Sequence, residues 1–261
     1  MKKETKEKYA NTDGFQFDEE SHSYFMDGKP MTGCTTILGV MAKPALIPWA
    51  ARMAVEYVRE HSSLRKIAHE QGEQAPSIET LYEVSEETLQ LAQKAHTQFR
   101  DKRAAEGTDL HALAEEYIKS CIANGGDPRS AGGGDNEAIR KFADWAITEN
   151  ITFKESEVKL FSKKLFVAGT ADFMFEKEGK LFVGDIKNKK KIYGRESFFQ
   201  CAGYSKMRSE MTGEAFDGYC VVRLWENEIE PLWSFDTEGD QEGFMACVRL
   251  YRLLAENNTV K

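Results

Sequence analysis

Asp172 and Asp185 lie in two neighbouring apolar segments, and Lys187 follows two residues after the second acid. Residues 165–175 alternate, placing Leu165, Val167, Gly169, Ala171, Phe173 and Phe175 on one predicted face and Asp172 on the other. Residues 181–187 form a second strand-like run, and Glu178-Gly179 supplies a two-residue hairpin loop between them. Counted outward from that loop, Lys177 pairs with Lys180, Phe175 with Phe182 and Asp172 with Asp185. Directly opposed Cβ atoms lie roughly 5 Å apart, so two carboxylates there repel each other. A divalent cation would resolve the repulsion, and an oxygen-rich site of this kind suits Mg²⁺ or Mn²⁺. Period two brings Lys187 to the face of Asp185, where its charge can stabilise a phosphate under attack or hold the attacking water. That is the chemistry of phosphodiester hydrolysis.

The acid-any-Lys pattern alone carries little weight, because it occurs at Glu4–Lys6, Asp27–Lys29, Glu157–Lys159, Glu178–Lys180 and Asp185–Lys187. Only the last follows an apolar strand and has a second acid across a hairpin; the competing reading is a solvated hairpin face. Three further signals bear on the choice. Glu157 falls on the preceding strand, and an even-length loop around Lys163-Lys164 puts it on the same face as Asp172. Gln200 and Tyr204 are four apart on a predicted helix, so they share a side and could contact a nucleotide or orient the water. His111 opens a helix after Gly107-Thr108, either projecting into a cleft or pairing with Glu115 one turn on.

The elements that must hold these residues follow from periodicity. A hairpin is predicted over 15–31, helices over 32–41 and 44–59 (Trp49 and Met53 inward), and short helices with loops over 62–84. A charged helix covers 85–105. Thr108 is expected to N-cap a separate helix over 109–123 with Leu110, Leu113, Tyr117 and Cys121 on its core side. After a loop at 125–134, a helix over 136–150 buries Ile139, Phe142 and Trp145. Strands at 151–161, 165–175 and 181–187, a helix at 197–211, strands at 219–225 and 229–233 and a helix at 242–256 complete the chain. This order predicts an α/β core with a central mixed sheet. Residues 1–12 read as a disordered tail, 13–105 as an appended hairpin and mostly helical lobe, and 106–261 as the core.

The chain has 261 residues, 41% of them hydrophobic, ample for one large core. No apolar run approaches the ~20 residues of a membrane span, so no membrane partner is expected. The five scattered cysteines have neither disulfide-framework nor metal-cluster spacing, pointing to a reducing cytoplasm without zinc or iron–sulfur sites. The net charge of −8 counts against coating DNA broadly, though not against a nuclease with cations gathered at one cleft. Lys189, Lys190, Lys191 and Arg195 form the densest basic run, with Lys163 and Lys164 at a neighbouring turn; these are the candidate nucleic-acid contacts.

Five elements taken in order resemble the PD-(D/E)XK nucleases, specifically their RecB-like exonuclease branch. They are Gly107-Thr108-Asp109-Leu110-His111, Glu157, Ala168-Gly169-Thr170-Ala171-Asp172, Asp185-Ile186-Lys187 and Gln200-Cys201-Ala202-Gly203-Tyr204. The opening, with Tyr24-Phe25-Met26-Asp27-Gly28 and Thr35-Thr36-Ile37-Leu38, is similar to phage and prophage members and more loosely to the mitochondrial genome maintenance exonuclease. The resemblance implies a restriction-endonuclease-like core and a Mg²⁺- or Mn²⁺-dependent deoxyribonuclease. His111, Asp172, Asp185 and the Ile186 carbonyl would be metal ligands and Glu157 an accessory acid. Lys187 would act on the nucleophilic water, and Gln200 and Tyr204 would flank the cleft. It also implies DNA as substrate, a recombination or single-strand-binding protein as a further partner, and N-terminal helices that restrict access to DNA ends. The sequence departs from the family name at Ala171, which stands where the name has proline.

Overall fold

Tight turns that accept left-handed backbone set the register of the central sheet. The computed structural model describes residues 14–41, 43, 45–71 and 74–257, with the side chains of 67–80, 103–109 and 256–257 left aside; the predicted tail at 1–12 lies outside this set. The chain begins with a small antiparallel sheet, β1 (Phe15–Asp18), β2 (Ser23–Met26) and β3 (Lys29–Pro30). Next come β4 (Thr32–Gly33), the short α1 (Cys34–Leu38), α2 (Leu46–His61) and the paired strands β5 (Ser63–Gln71) and β6 (Gln74–Glu83). Helix α3 (Glu86–Ala123) and a 3₁₀ turn at Pro128–Ser130 lead to α4 (Glu137–Thr148). The remaining elements are β7 (Thr152–Ser162), β8 (Val167–Lys177), β9 (Lys180–Lys187), α5 (Glu196–Thr212), β10 (Gly218–Trp225), β11 (Glu228–Ser234) and α6 (Thr237–Asn257).

The result is the predicted α/β architecture, a mixed sheet with helices on both faces. Strand order is β11–β10–β9–β8–β4, with β7 also on β8. The β8–β9 hairpin turns at Glu178 and Gly179, both at positive φ, and pairs Lys177 with Lys180 and Phe175 with Phe182 as the two-residue loop requires. β9 and β10 are parallel, as a crossover through α5 demands. One face buries Leu160, Val167, Ala171, Val183 and Val221 against α1, α5 and α6. The other buries Phe153, Phe173, Phe175, Phe182 and Ile186 against α4 and the 109–123 part of α3. A third cluster seats Phe15, Phe17, Tyr24 and Met26 on Phe161 and Ala168.

Several sequence expectations are corrected. Residues 62–84 are an antiparallel strand pair, not short helices; its apolar residues are too few to mark a buried face by alternation. Thr108 lies within the continuous helix α3 and does not N-cap a new one. A single helical glycine such as Gly107 costs only about 1 kcal/mol, which the packing of Ala114, Tyr117, Ile118 and Cys121 outweighs. Ser85 caps this helix instead, its Oγ accepting from the Thr88 N–H at 3.0 Å. Leu113, expected inward, is exposed. Thr32–Gly33 is a strand on β8 and only Cys34–Leu38 is helical within 32–41.

The chain divides into two compact units, Ala42–Thr108 and the remainder. The boundary near 105 therefore assigned 15–41 to the wrong side, because the aromatic rows of β1 and β2 bury against β7 and β8. Within the smaller unit, Trp49 meets His96 and Phe99 edge-on, and α2 has no fully buried residue. Among the described residues, no helix is long and apolar enough to cross a membrane.

Phe173, fully buried among Phe142, Phe153 and Phe175 with ring centroids 5.5–5.8 Å away, is central to the second core. Phe173→Ala is expected to cost about 3–5 kcal/mol, measured as a lower urea midpoint at unchanged slope.

Candidate functional site

The site forms where the β8–β9 ladder opens. Pairing runs from Lys177↔Lys180 to Phe173↔Gly184 and stops there; the predicted Asp172–Asp185 step is not a ladder pair. Beyond it β4 takes over β8 at Val167 and Ala168, while β10 continues alongside β9 as far as Lys187. Ile186 is left with peptide groups that β8 does not satisfy, and such groups need partners. Its N–H donates to Asp172 Oδ2 at 2.7 Å. Its carbonyl lies 2.8 Å from His111 Nε2, which is also 3.3 Å from Asp172 Oδ2. One backbone unit thus draws a strand acid and a helix histidine to the same point.

A second irregularity faces this one. Glu157 has φ +52°, the left-handed region, in the middle of β7. Ser156↔Phe173 and Val158↔Ala171 flank it in unbroken count, with no ladder pair between Glu157 and Asp172. The strands change face here: Val167 and Ala171 belong to the α5–α6 core, whereas Phe173 and Phe175 belong to the α3–α4 core. The predicted single row from 165 to 175 is therefore wrong beyond Ala171. A reversal of this kind re-aims side chains beside a site and costs of order 1–3 kcal/mol.

Asp185 and Lys187 form the other half. Asp185 is 1% exposed, and the Lys187 ammonium lies 2.9 and 2.8 Å from its two oxygens. Among the described residues, only Oδ1 is in line for a hydrogen bond, and Oδ2 is a buried acceptor without a hydrogen-bond donor. Lys187 also donates to Gln200 Oε1 at 3.1 Å, and Gln200 Nε2 donates to the Tyr204 hydroxyl at 2.8 Å. Tyr204 can reach the sheet because Gly169 has no side chain; a Cβ there would sit 2.6 Å from its ring.

Charge states follow from these contacts. Burial pushes the Asp172 carboxyl up, but the His111 hydrogen bond and charge, Lys187 and the Ile186 N–H together hold it below its ordinary value. Burial raises Asp185 to about 6, against the pull of Lys187 and with Asp172 adding to the rise. Burial opposes the Lys187 charge, yet Asp185 and Asp172 overcome it and hold its pKa above the ordinary value. Burial raises Glu157 as well, with Lys159 opposing and Asp172 and Glu115 reinforcing.

His111, Glu157, Asp172, Asp185, Ile186, Lys187, Gln200 and Tyr204 are thus brought into one connected cluster. The predicted basic contacts fare differently. Lys189, Lys190 and Lys191 are exposed on the loop that leaves Lys187, and the Lys190 carbonyl is held by Arg223 Nη1 at 3.3 Å. Lys163 and Lys164 sit in the turn between β7 and β8, six or seven residues from Glu157, about 20 Å along an extended strand. That turn is fastened by Glu210 through the Lys164 N–H and the Ser162 hydroxyl. Arg195 is committed to structure: Nε and Nη2 bond Asp240 at 2.8 and 2.7 Å, and Nη2 bonds Ser234 at 2.8 Å. Asp240 is fully buried, so this guanidinium neutralises a core carboxylate.

Sequence reasoning missed Lys159, whose ammonium lies 3.4 Å from Glu157 Oε2, and Tyr24, whose hydroxyl bonds Thr170 Oγ1 at 2.9 Å. The Glu157–Lys159 spacing was the available signal for the first. Tyr24 stood in the opening motif, but nothing local tied it to Thr170.

Among the described residues, no three His, Cys, Asp or Glu side chains close into a metal cage. A hard, six-coordinate cation needs less, because Mg²⁺ keeps several waters and takes one or two carboxylates. Ligands at about 2.1 Å in an octahedron are about 3 Å from their neighbours. The 2.8 and 3.3 Å spacings among His111 Nε2, the Ile186 carbonyl and Asp172 Oδ2 match that figure, and Asp185 Oδ2 adds an unsatisfied acceptor. The donor set fits Mg²⁺ or Mn²⁺.

No family model matches this chain, and no curated protein matches it. Among solved structures, the crystal structure of SSO0001 is similar at 16% identity over 57% of this chain and 70% of that one. Its TM-score of 0.27 is too low to carry an argument about fold or chemistry.

Removing the Arg195 side chain strands the Asp240 carboxylate. Arg195→Ala is expected to cost about 2–3 kcal/mol, the half-exposed guanidinium placing it below a fully buried pair, and to show as an earlier urea transition.

Proposed function

We propose that this chain is a Mg²⁺- or Mn²⁺-dependent DNA nuclease of the PD-(D/E)XK type, acting as an exonuclease of the RecB-like branch in phage or prophage recombination, replication or repair. One observation carries the reading: His111 Nε2, the Ile186 carbonyl and Asp172 Oδ2 meet within 3.3 Å of the histidine nitrogen, on the strand whose next residue presents Lys187. His111, Asp172, Asp185 and the Ile186 carbonyl would hold the cation, with Glu157 as accessory acid. The cation would supply Lewis-acid neutralisation of the scissile phosphate.

The protein's own groups have defined tasks in this reading. Asp172 is ionised and is aimed by the Ile186 N–H. Against its burial, two carboxylates hold Lys187 above its ordinary pKa, which favours a charged donor over a general base. It works as a donor that orients the attacking water and offsets negative charge growing on phosphorus oxygens. Gln200 fixes the direction of that ammonium, and the Tyr204 hydroxyl fixes Gln200. In this reading the exposed lysines at 189–191 contact the backbone of the strand being cut.

The test is cleavage of end-labelled linear DNA and covalently closed circles with Mg²⁺, Mn²⁺ or chelator. Degradation of linear DNA only, lost in chelator, is expected; cut circles would make the enzyme an endonuclease, and uncut DNA under every condition would end the nuclease reading. Lys187→Ala is expected to lower kcat by about 10²–10³. Asp185→Ala is expected to abolish cleavage and weaken Mn²⁺ binding in calorimetry. Tyr204→Phe, which keeps the ring against Gly169, should cost only about tenfold in kcat at unchanged melting temperature, a loss visible in single-turnover kinetics.

A further inference from the structure

The central strands carry a second acid-any-Lys unit, Glu157–Lys159, whose lysine the mechanism above leaves unused. Glu157 and Lys159 on β7 and Asp185 and Lys187 on β9 flank Asp172 on β8, which is among the electrostatic neighbours of both Glu157 and Asp185. The two lysines are held differently. Lys187 is taken up by Asp185 at 2.8–2.9 Å and by Gln200 at 3.1 Å. Among the described residues, Lys159 has one anionic contact, with Glu157 Oε2, at the longer distance of 3.4 Å. Its ammonium otherwise lies over the Phe17 ring, 4.5 Å from the centroid. An ammonium has three donors, and these contacts engage at most one of them.

The side chain is nevertheless positioned. Only 23% of it is exposed. Phe17 is buried on the β1–β2 sheet, and Lys159↔Thr170 is the second β7–β8 pair past the reversal at Glu157, after Val158↔Ala171. Tyr24 clamps Thr170 from the same hairpin. A surface lysine kept only for solubility needs none of these restraints. A cation with free donors, fixed two residues from an acid of the cluster, is built to receive an anion.

We propose that Lys159 is a substrate-contacting residue that binds a non-scissile phosphate of the DNA strand, next to the phosphate served by Lys187. This rests on the nuclease reading and adds to it a second backbone contact, on the β7 side of the cluster, with the N-terminal hairpin as its support. A lysine used as a point charge suits this task, since a positioning phosphate contact carries no base information.

The experiment measures binding of a short fluorescent single strand and of its duplex across a salt series, with Ca²⁺ replacing Mg²⁺ to suppress cleavage, beside steady-state cleavage in Mg²⁺. Lys159→Gln, which keeps most of the apolar stem over Phe17, and Lys159→Arg, which keeps the charge, are compared with wild type. Loss of one phosphate contact is expected to reduce the slope of log K against log salt by about 0.7–0.9. Lys159→Gln should raise KM about tenfold with kcat within about threefold, and Lys159→Arg should restore both. An unchanged salt slope and KM in Lys159→Gln would overturn the proposal. So would a fall in kcat at constant KM, which would assign Lys159 a role exerted through Glu157. A purely structural role would lower the melting temperature and leave the slope alone. Wild-type cleavage is the control that separates the two readings: active wild type with an indifferent Lys159 defeats this proposal only, whereas wild type that neither binds nor cuts DNA defeats both.

Discussion

A strand that leaves its neighbour exposes peptide groups, and those groups have to be satisfied by something other than the sheet. At Ile186 this requirement organises everything around it. The N–H takes Asp172 and the carbonyl takes His111, although the two side chains come from a strand and a helix separated by more than sixty residues of sequence. β10 continues to pair with β9 through Lys187, so the opening is one-sided and the strand stays in the sheet. The carboxylate and imidazole are therefore positioned by backbone, which moves less than side chains do.

Burying Asp185 beside Asp172 would be prohibitive without compensation. Lys187 provides it, and the protein spends several further residues on keeping that lysine in line. Gln200 receives its second donor, Tyr204 holds Gln200, and the absence of a side chain at Gly169 admits Tyr204. This chain of contacts joins a helix pair four residues apart and a strand glycine into one connected unit. On the other side Glu157 is held in left-handed backbone between two properly paired residues, a strain retained next to the acids where it changes the direction of β7 and β8.

Much of this was legible in the chain. The hairpin turn at Glu178-Gly179 set a register that holds for five consecutive pairs, because short turns leave the strands no other choice. The i, i+4 spacing of Gln200 and Tyr204 places them on one helix side, and they do share a hydrogen bond. Other features were invisible because local patterns mislead. Alternation suggested one continuous row through Phe173, but the break at Glu157 has no residue-level signature. Arg195 read as part of a basic run, yet its partner Asp240 is forty-five residues away and wholly buried. Residues 62–84 lacked the apolar alternation that marks a half-buried strand, so their pairing went unread.

The amino-acid order alone determined the element types of the core, the hairpin register and the short list of acids, lysine, histidine and helix pair that could do chemistry. Those are near-neighbour properties, governed by turn stereochemistry and by side-chain period along a single element. Only the tertiary structure decided that the ladder opens at Asp172, that His111 reaches Ile186, that Arg195 serves the core, and that Lys159 stands beside the acids. Each of these depends on which unsatisfied group meets which partner across the fold, and that is settled by packing over distances the local pattern does not encode.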